Sequence, residues 1–178
     1  MSKKQPTIGF VGQGFIGKNM ADDFEARGYS TIRYALEESY VQNKEAIVEC
    51  DIVFIAVPTP TTKKGFSDAA LRAVLPLVGE GKIAVIKSTI LPGHTEALQQ
   101  AFPHCLVLHS PEFLREKQAQ EDTRKPARNI VGIPHDTPEY VAAGNQVLSV
   151  LPKAPYEKLM SARSAELVKY GGNCFLAM

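Results

Sequence analysis

The hexapeptide Gly12-Gln13-Gly14-Phe15-Ile16-Gly17 constrains this chain more than any other stretch, because of what lies on either side of it. Before it comes the apolar run Thr7-Ile8-Gly9-Phe10-Val11, which reads as a strand. After it, Ile16, Gly17, Met20, Ala21 and Phe24 recur at helical spacing, with Gly28 as the stop signal. A GxGxxG turn in this setting has a mechanical reading. Gly12 permits the tight turn, Gly14 lets the backbone approach a pyrophosphate, and Gly17 allows close packing of helix on sheet. The first helical turn then offers unpaired N–H groups and a partial positive charge to an anion. A bare turn is the alternative use of three glycines, but strand, loop and helix in this order point to a bound dinucleotide.

The remaining chain alternates short β-rich runs with helical stretches, which implies an α/β fold with a largely parallel sheet. Thr31 to Tyr34 reads as a strand and Asn43 to Cys50 as a short helix. Asp51 to Val57 is apolar on both faces, as a central parallel strand must be. Pro58-Thr59-Pro60 ends it. A loop through Lys63, Lys64 and Gly65 leads to a helix from Asp68, a candidate N-cap, to about Val78. Lys82 to Lys87 is a further strand, and Pro92 sits near the start of a helix ending around Phe102. Cys105 to His109 and Asn129 to Ile133 read as strands, Pro138 to Leu148 as a helix and Lys153 to Tyr156 as extended. Ser161 to Met178 reads as a last helix.

Composition narrows the function. The chain has 178 residues, 44% hydrophobic and 22% charged, with a formal charge of +1, which suits one domain with a single substantial core. No basic cluster marks a nucleic-acid binder, and no apolar run approaches the roughly 20 residues of a membrane helix. The opening MSKKQPT leads into apolar residues broken by glycines, unlike a secretion signal. Cys50, Cys105 and Cys174 have neither disulfide nor metal spacing, so no metal is expected. Composition thus predicts a soluble, cytoplasmic protein without nucleic-acid or membrane partners.

The second strand should be closed by an acid that binds the ribose hydroxyls, about 20 residues beyond the glycine loop. Ala35 occupies that position, with Glu37 and Glu38 the nearest acids. Arg33 raises the alternative of a 2′-phosphate, but it precedes the expected site, so NAD is preferred over NADP.

Several separated motifs carry a family resemblance. Val57-Pro58-Thr59-Pro60, Ser88-Thr89 with Pro92-Gly93, Ser110-Pro111-Glu112-Phe113-Leu114-Arg115-Glu116, the run Asp122 to Gly132, and Ala165-Glu166-Leu167-Val168-Lys169-Tyr170 with Asn173 occur in that order. The order resembles the UDP-glucose/GDP-mannose dehydrogenases. The resemblance implies a Rossmann-like, doubly wound, mostly parallel sheet. It places an NAD-binding domain over residues 1–160 and the beginning of a central helix over residues 161–178. It also implies an enzyme of polysaccharide biosynthesis that oxidises C6 of a nucleotide sugar, UDP-glucose above all, to a carboxylate with two NAD per turnover. In that chemistry a cysteine thiolate traps the aldehyde, and water hydrolyses the resulting thioester.

Carried over by motif, Gly12, Gly14, Phe15, Ile16, Gly17, Val57, Pro58, Thr59, Ser88, Thr89 and Glu116 would bind the cofactor. Thr89, Glu112, Glu116, Lys169 and Asn173 would be catalytic: Thr89 positioning water, Glu112 acting as general base, Lys169 and Asn173 stabilising an oxyanion. Glu112, Phe113, Leu114, Arg115, Lys169 and Asn173 would contact the substrate. Glu112 and Glu116 are four apart, so a helix would put both on one face, where two close carboxylates push one pKa upward, as suits a general base. Lys169 and Asn173 have the same spacing, and propensity alone ends their helix at Gly171-Gly172, whereas the family continues it. Without the resemblance, Glu112 and Glu116 read as surface acids and Lys169 as a solvated helix residue.

The Gly171-Gly172-Asn173-Cys174 stretch imitates the family's nucleophile motif but lacks the proline-lysine-aspartate that should follow, so Cys174 reads as a buried small hydrophobe. Neither Cys50 nor Cys105 has a cationic setting. The nucleophile, the UDP- or GDP-binding domain and the helices through which full-length relatives dimerise are therefore expected to be absent, leaving the isolated chain incompetent for turnover. Lys117 replaces a usual glycine after the PEFLRE motif. Two other readings are a non-catalytic dinucleotide-binding module and a hydroxyacid or 6-phosphogluconate-type dehydrogenase, whose Gly9-Phe10-Val11-Gly12 opening is similar.

Overall fold

The computed structural model describes residues 5–176, with the side chains of Glu116 and Leu176 outside the described set. β1 (Ile8–Val11) leads into α1 (Phe15–Ala26), β2 (Thr31–Tyr34), a 3-10 segment over Val41–Glu49, and β3 (Ile52–Ile55). A small hairpin, β4 (Thr61–Thr62) and β5 (Gly65–Phe66), precedes α2 (Ala69–Val74), β6 (Ile83–Ile86), α3 (His94–Ala101) and β7 (Leu106–His109). Then come α4 (Ala119–Arg124), β8 (Arg128–Ile133), α5 (Pro138–Val150), β9 (Tyr156–Ser161) and α6 (Ala162–Leu176).

Seven strands form one sheet in the order β2-β1-β3-β6-β7-β8-β9. The five from β2 to β7 are mutually parallel. β8 joins antiparallel to β7 through the His109–Gly132 pair, and β9 runs parallel to β8 over six residues. The expected doubly wound architecture is therefore present, with β1 and β3 adjacent although β2 intervenes in sequence. That reversal of strand order opens a crevice at the carboxyl ends of β1 and β3.

β1, β3 and β6 are buried at every position, which is why their sequences are continuously apolar rather than alternating. On one face Phe10, Phe24 and Phe54 pack with ring centroids 5.3 to 5.6 Å apart. On the other, Val53 and Ile55 meet Leu71, Leu75 and Leu98. Phe24 is 1% exposed, and truncating such a ring to alanine costs about 3–5 kcal/mol. Gly132 serves a steric purpose: a Cβ there would lie 2.7 Å from Ala162 Cα, so its absence lets α6 lie against β8.

Several local expectations are corrected. The Lys63–Lys64 loop is the turn of the β4–β5 hairpin, with Thr62 Oγ1 accepting from the Lys64 N–H. Asp68 occupies the N-cap position of α2 but its carboxylate binds Arg72 Nε at 2.9 Å, an alternative partner that outcompetes the cap. Pro92 lies in the turn before α3, whose N-cap is Gly93. The helix of residues 43–50 is a 3-10 segment starting two residues earlier, and the extended stretch at Lys153 becomes a strand only at Tyr156.

Candidate active site

The glycine loop leaves β1 at Gly12, whose φ of 91° is open to glycine and strained for other residues. A Cβ at Gly12 would meet the Ala56 carbonyl oxygen at 2.3 Å, and one at Gly17 would meet the Gly12 carbonyl oxygen at 1.8 Å. Gly14 differs, since nothing lies within 4 Å of where its Cβ would be. As N-cap of α1 it leaves the first turn without a side-chain cap or an acid. The result is an exposed set of N–H donors at a positive helix end, suited to a diphosphate. Gly14, Phe15, Ile16, Ala56, Val57, Pro58, Thr59, Ser88 and Thr89 line a groove of about 270 Å³ here, which gathers eight of the eleven residues expected to bind the cofactor; Gly12 and Gly17 are not part of its lining. Its wall is stitched by hydrogen bonds. Ser88 Oγ accepts from the Val57 N–H at 3.0 Å and donates to the Val57 carbonyl at 2.7 Å, while Thr59 Oγ1 donates to the Thr89 carbonyl.

At the end of β2, Ala35 is buried and Glu37 and Glu38 are exposed. Arg33 is engaged by Asp22 and Glu25, each at 2.7 Å, so two carboxylates of α1 already neutralise the cation considered for a 2′-phosphate.

The residues just past β6 and β7 build the second half of the site. Lys87 is 5% exposed; its Nζ lies 3.1 Å from Glu112 Oε2 and donates to Ser110 Oγ at 3.2 Å. Glu112 Oε1 accepts from the Phe113 N–H at 2.8 Å, fixing the carboxylate against its own backbone. A small cavity of about 30 Å³, enough for one water, touches Lys87, Ser110 and Glu112. His109 is fully buried, and no partner reaches either ring nitrogen among the described residues. Desolvation above all, with the nearby Lys87 charge, pushes its pKa down to about 3, so it is neutral.

The PEFLRE segment corrects the helical expectation. Residues 111–115 are irregular and a 3-10 turn begins only at Glu116, so Glu112 and Glu116 share no helix face. Pro111 lacks a backbone N–H and Glu112 Oε1 takes the Phe113 N–H, so neither N–H enters a helical ladder. The charged group that meets the Glu112 carboxylate is the Lys87 ammonium from the end of the neighbouring strand. Glu116's side chain lies outside the described residues. The Arg115 side chain forks onto Asp122, and the Asp122 carboxylate also takes the Arg115 N–H. With Phe113, Leu114, Lys125 and Arg128 these residues line a groove of about 400 Å³.

α6 reaches this segment through Lys169. It runs unbroken through Gly171-Gly172, as the family pattern implies. Lys169 is half-buried with Nζ 5.6 Å from the Phe113 ring centroid, and Arg128 stacks on the same ring at 4.9 Å. Burial is the main cause lowering the Lys169 pKa; Lys87 adds to it and Glu112 opposes it. Asn173 is exposed one turn on. Cys174 is exposed too, contrary to the buried position expected, because it lies in the outer part of α6. Cys50 and Cys105 are buried, and desolvation raises their thiols to about 12 and about 11.

Sequence reasoning missed Lys87, Ser110, His109 and Glu166. A lysine ending the apolar run Ile83–Ile86 was the available signal for Lys87, since a charge at that place must find a partner. Among the described residues no His, Cys, Asp and Glu cluster could hold a metal, and no helix is long and apolar enough to cross a membrane.

Comparison with known proteins agrees with this geometry. Residues 30–149 match the model of the UDP-glucose/GDP-mannose dehydrogenase family, NAD binding domain. A UDP-glucose 6-dehydrogenase 5 of Oryza sativa subsp. japonica is 32% identical over 150 residues, covering 74% of this chain and 31% of the relative. The UDP-glucose 6-dehydrogenase of Rhizobium meliloti (strain 1021) is 32% identical over 152 residues, covering 76% and 34%. Among solved structures, a UDP-glucose dehydrogenase from Pyrobaculum islandicum superposes with a TM-score of 0.84 at 26% identity, covering 99% of this chain and 51% of that one. The chain thus spans about a third of the curated relatives' length and about half that of the solved structure.

Proposed function

The chain belongs to the UDP-glucose/GDP-mannose dehydrogenase family, and from this premise we propose that it carries the NAD-binding and proton-handling part of a nucleotide-sugar 6-dehydrogenase of the UDP-glucose to UDP-glucuronate type. One observation supports this most. The consecutive residues Lys87, Ser88 and Thr89 serve two adjoining sites, Ser88 and Thr89 lining the glycine-loop groove and Lys87 holding Glu112. A dinucleotide on the cradle would therefore lie next to ionisable groups.

Residues Gly12, Gly14, Phe15, Ile16, Gly17, Val57, Pro58, Thr59, Ser88 and Thr89 would hold NAD, which when bound supplies a hydride acceptor for an alcohol carbon. Glu116 is assigned to the same site by motif. Glu112 would accept the proton of the attacking water, positioned with Thr89, and Lys169 with Asn173 would face the developing oxyanion. The groove bounded by Phe113, Leu114 and Arg115 would take the sugar nucleotide, with Lys125 and Arg128 available to its phosphates. We take residues 1–160 as the cofactor unit and residues 161–178 as the beginning of an inter-domain helix. The exposed Leu167, Val168, Tyr170 and Phe175 support a contact role for that helix, including dimerisation. A cytoplasmic setting and a supply of uronates to polysaccharide biosynthesis follow from the same reading.

The thiol this chemistry needs is not prepared at Cys50 or Cys105, and Cys174 stands exposed on α6. Burial of the first two favours a second reading, a dinucleotide-binding module without turnover of its own. Calorimetric titration with NADH and NADPH tests the cofactor part: NADH binds more tightly, and absence of binding by either overturns it. Incubation with NAD and UDP-glucose gives no sustained NADH absorbance under either reading. Addition of the thiol-bearing half of a relative restores NADH production under the first and leaves it absent under the second.

A further inference from the structure

Glu166 is a carboxylate with no contact to water, at 0% exposure, on the same stripe of α6 as Lys169 and Asn173. Its oxygens take three hydrogen bonds from another element. Oε2 accepts from the Gly93 N–H at 2.5 Å, and Oε1 accepts from the Thr95 N–H at 2.8 Å and Thr95 Oγ1 at 2.5 Å. These are first-turn donors of α3, which lack partners within their own helix and sit at its positive end. A carboxylate in this place is compensated by charge-assisted bonds and the helix field, whereas the same carboxylate unbonded would not stay buried. On the surface, Arg163 of α6 meets Glu96 of α3 at 3.3 Å and repeats the connection.

The link joins two functional regions. Gly93 closes the turn that begins at Ser88 and Thr89, which line the glycine-loop groove. Lys169 is three residues beyond Glu166, about 4.5 Å along the helix axis, so anchoring one fixes the height and rotation of the other. The outer part of α6 is exposed from Tyr170 to Phe175, leaving the inner turns to set its placement.

We propose that Glu166 is a positioning residue of the dehydrogenase site, capping α3 from α6 so that Lys169 is held against the Glu112–Phe113 segment in register with the cofactor-side turn. This rests on the function proposed above for Lys169. The groups acting on Lys169 are Glu112, Lys87 and the neutral His109 at or past the strand ends and the Phe113 ring, which Arg128 shares, while Arg163 on α6 is paired to Glu96. Its depressed pKa, caused mainly by burial, therefore reports whether it is in place.

The test follows the Lys169 ammonium by NMR pH titration, assigned with Lys169→Arg, together with amide exchange at Gly93 and Thr95. In Glu166→Ala the Lys169 titration moves up by at least about half a pH unit toward the ordinary lysine value, and exchange at the two amides rises roughly tenfold. Glu166→Gln keeps an acceptor for Thr95 and retains most of the wild-type titration. Faster exchange with an unmoved Lys169 overturns the proposal, reducing Glu166 to a fold staple. Should Glu166→Ala fail to fold, Thr95→Val removes one of the three bonds, and a smaller upward shift supports the proposal while none overturns it. NADH titration of the wild-type chain is read separately, so loss of the cofactor reading leaves the Glu166–Lys169 result interpretable.

Discussion

Lys87 and Glu112 follow neighbouring parallel strands and meet as a largely buried ion pair, Nζ to Oε2 3.1 Å, with side chains 5% and 18% exposed. Removing one member of such a pair leaves an uncompensated charge and costs about 3–5 kcal/mol, whereas replacing both by apolar or neutral groups costs far less. Lys87→Met is expected to lower urea stability by about that amount. The Lys87→Met/Glu112→Gln double variant should recover at least about half of the loss, measured as the shift of the denaturation midpoint at unchanged slope.

The glycine loop separates binding from folding. Gly14 has φ −72° and ψ −164°, an extended conformation open to any residue, with free space where a Cβ would go. Gly14→Val therefore changes stability by no more than about 1 kcal/mol, the usual scale of an N-cap change. It should weaken NADH at least about tenfold by occupying the anion's space, read by calorimetry. Gly17→Ala does the opposite kind of damage, since its methyl would collide with the Gly12 carbonyl oxygen, and it lowers thermal stability before binding is considered.

His109 makes the fold acid-sensitive. Its pKa is about 3 in the folded chain, while an unfolded histidine titrates near 6.5. Between those values the unfolded chain holds a proton that the folded chain does not, so stability falls as pH drops from about 6.5 toward 3. The slope is at most about 1.4 kcal/mol per pH unit from this one proton. Urea midpoints at pH 7.5 and pH 5.0 should differ in that direction, and His109→Leu should shrink the difference.

Thiol labelling distinguishes the three cysteines. Cys50 and Cys105 are buried with thiols raised to about 12 and about 11, and Cys174 is exposed. Iodoacetamide at pH 7.5 should modify Cys174 alone in the native chain and all three in urea, as read by mass spectrometry. Native-state labelling of Cys50 would contradict the closed packing of the β1–β3 face.

The strands and the glycine loop were legible because their signals are local: continuous apolar runs for buried parallel strands, and three glycines between a strand and a helix. The helical reading of Lys169 and Asn173 came from the family pattern against the propensity of Gly171-Gly172, and α6 follows the pattern. What escaped depends on pairing across the sheet. Glu112 looked like one of two carboxylates because Glu116 is near in sequence, yet its partner, Lys87, is 25 positions away and adjacent only once β6 and β7 align. Glu166 sat within a quoted motif without a role, since its partners Gly93 and Thr95 belong to another helix. Cys174 differs for another reason: without the residues of a nucleophile motif after it, it reads as a buried small hydrophobe, yet α6 is exposed at that height.

The continuous passage from β9 into α6, with Ser161 ending the strand and Ala162 starting the helix, leaves no slack between sheet and site. Each residue of an α-helix advances the rotation by about 100°. A single insertion at this junction would turn Lys169 away from Phe113 and carry Glu166 off α3 together, while an insertion in the Lys63–Lys64 turn would displace neither. Length change is thus felt at the site through a strand–helix seam that carries none of the site's charged groups itself.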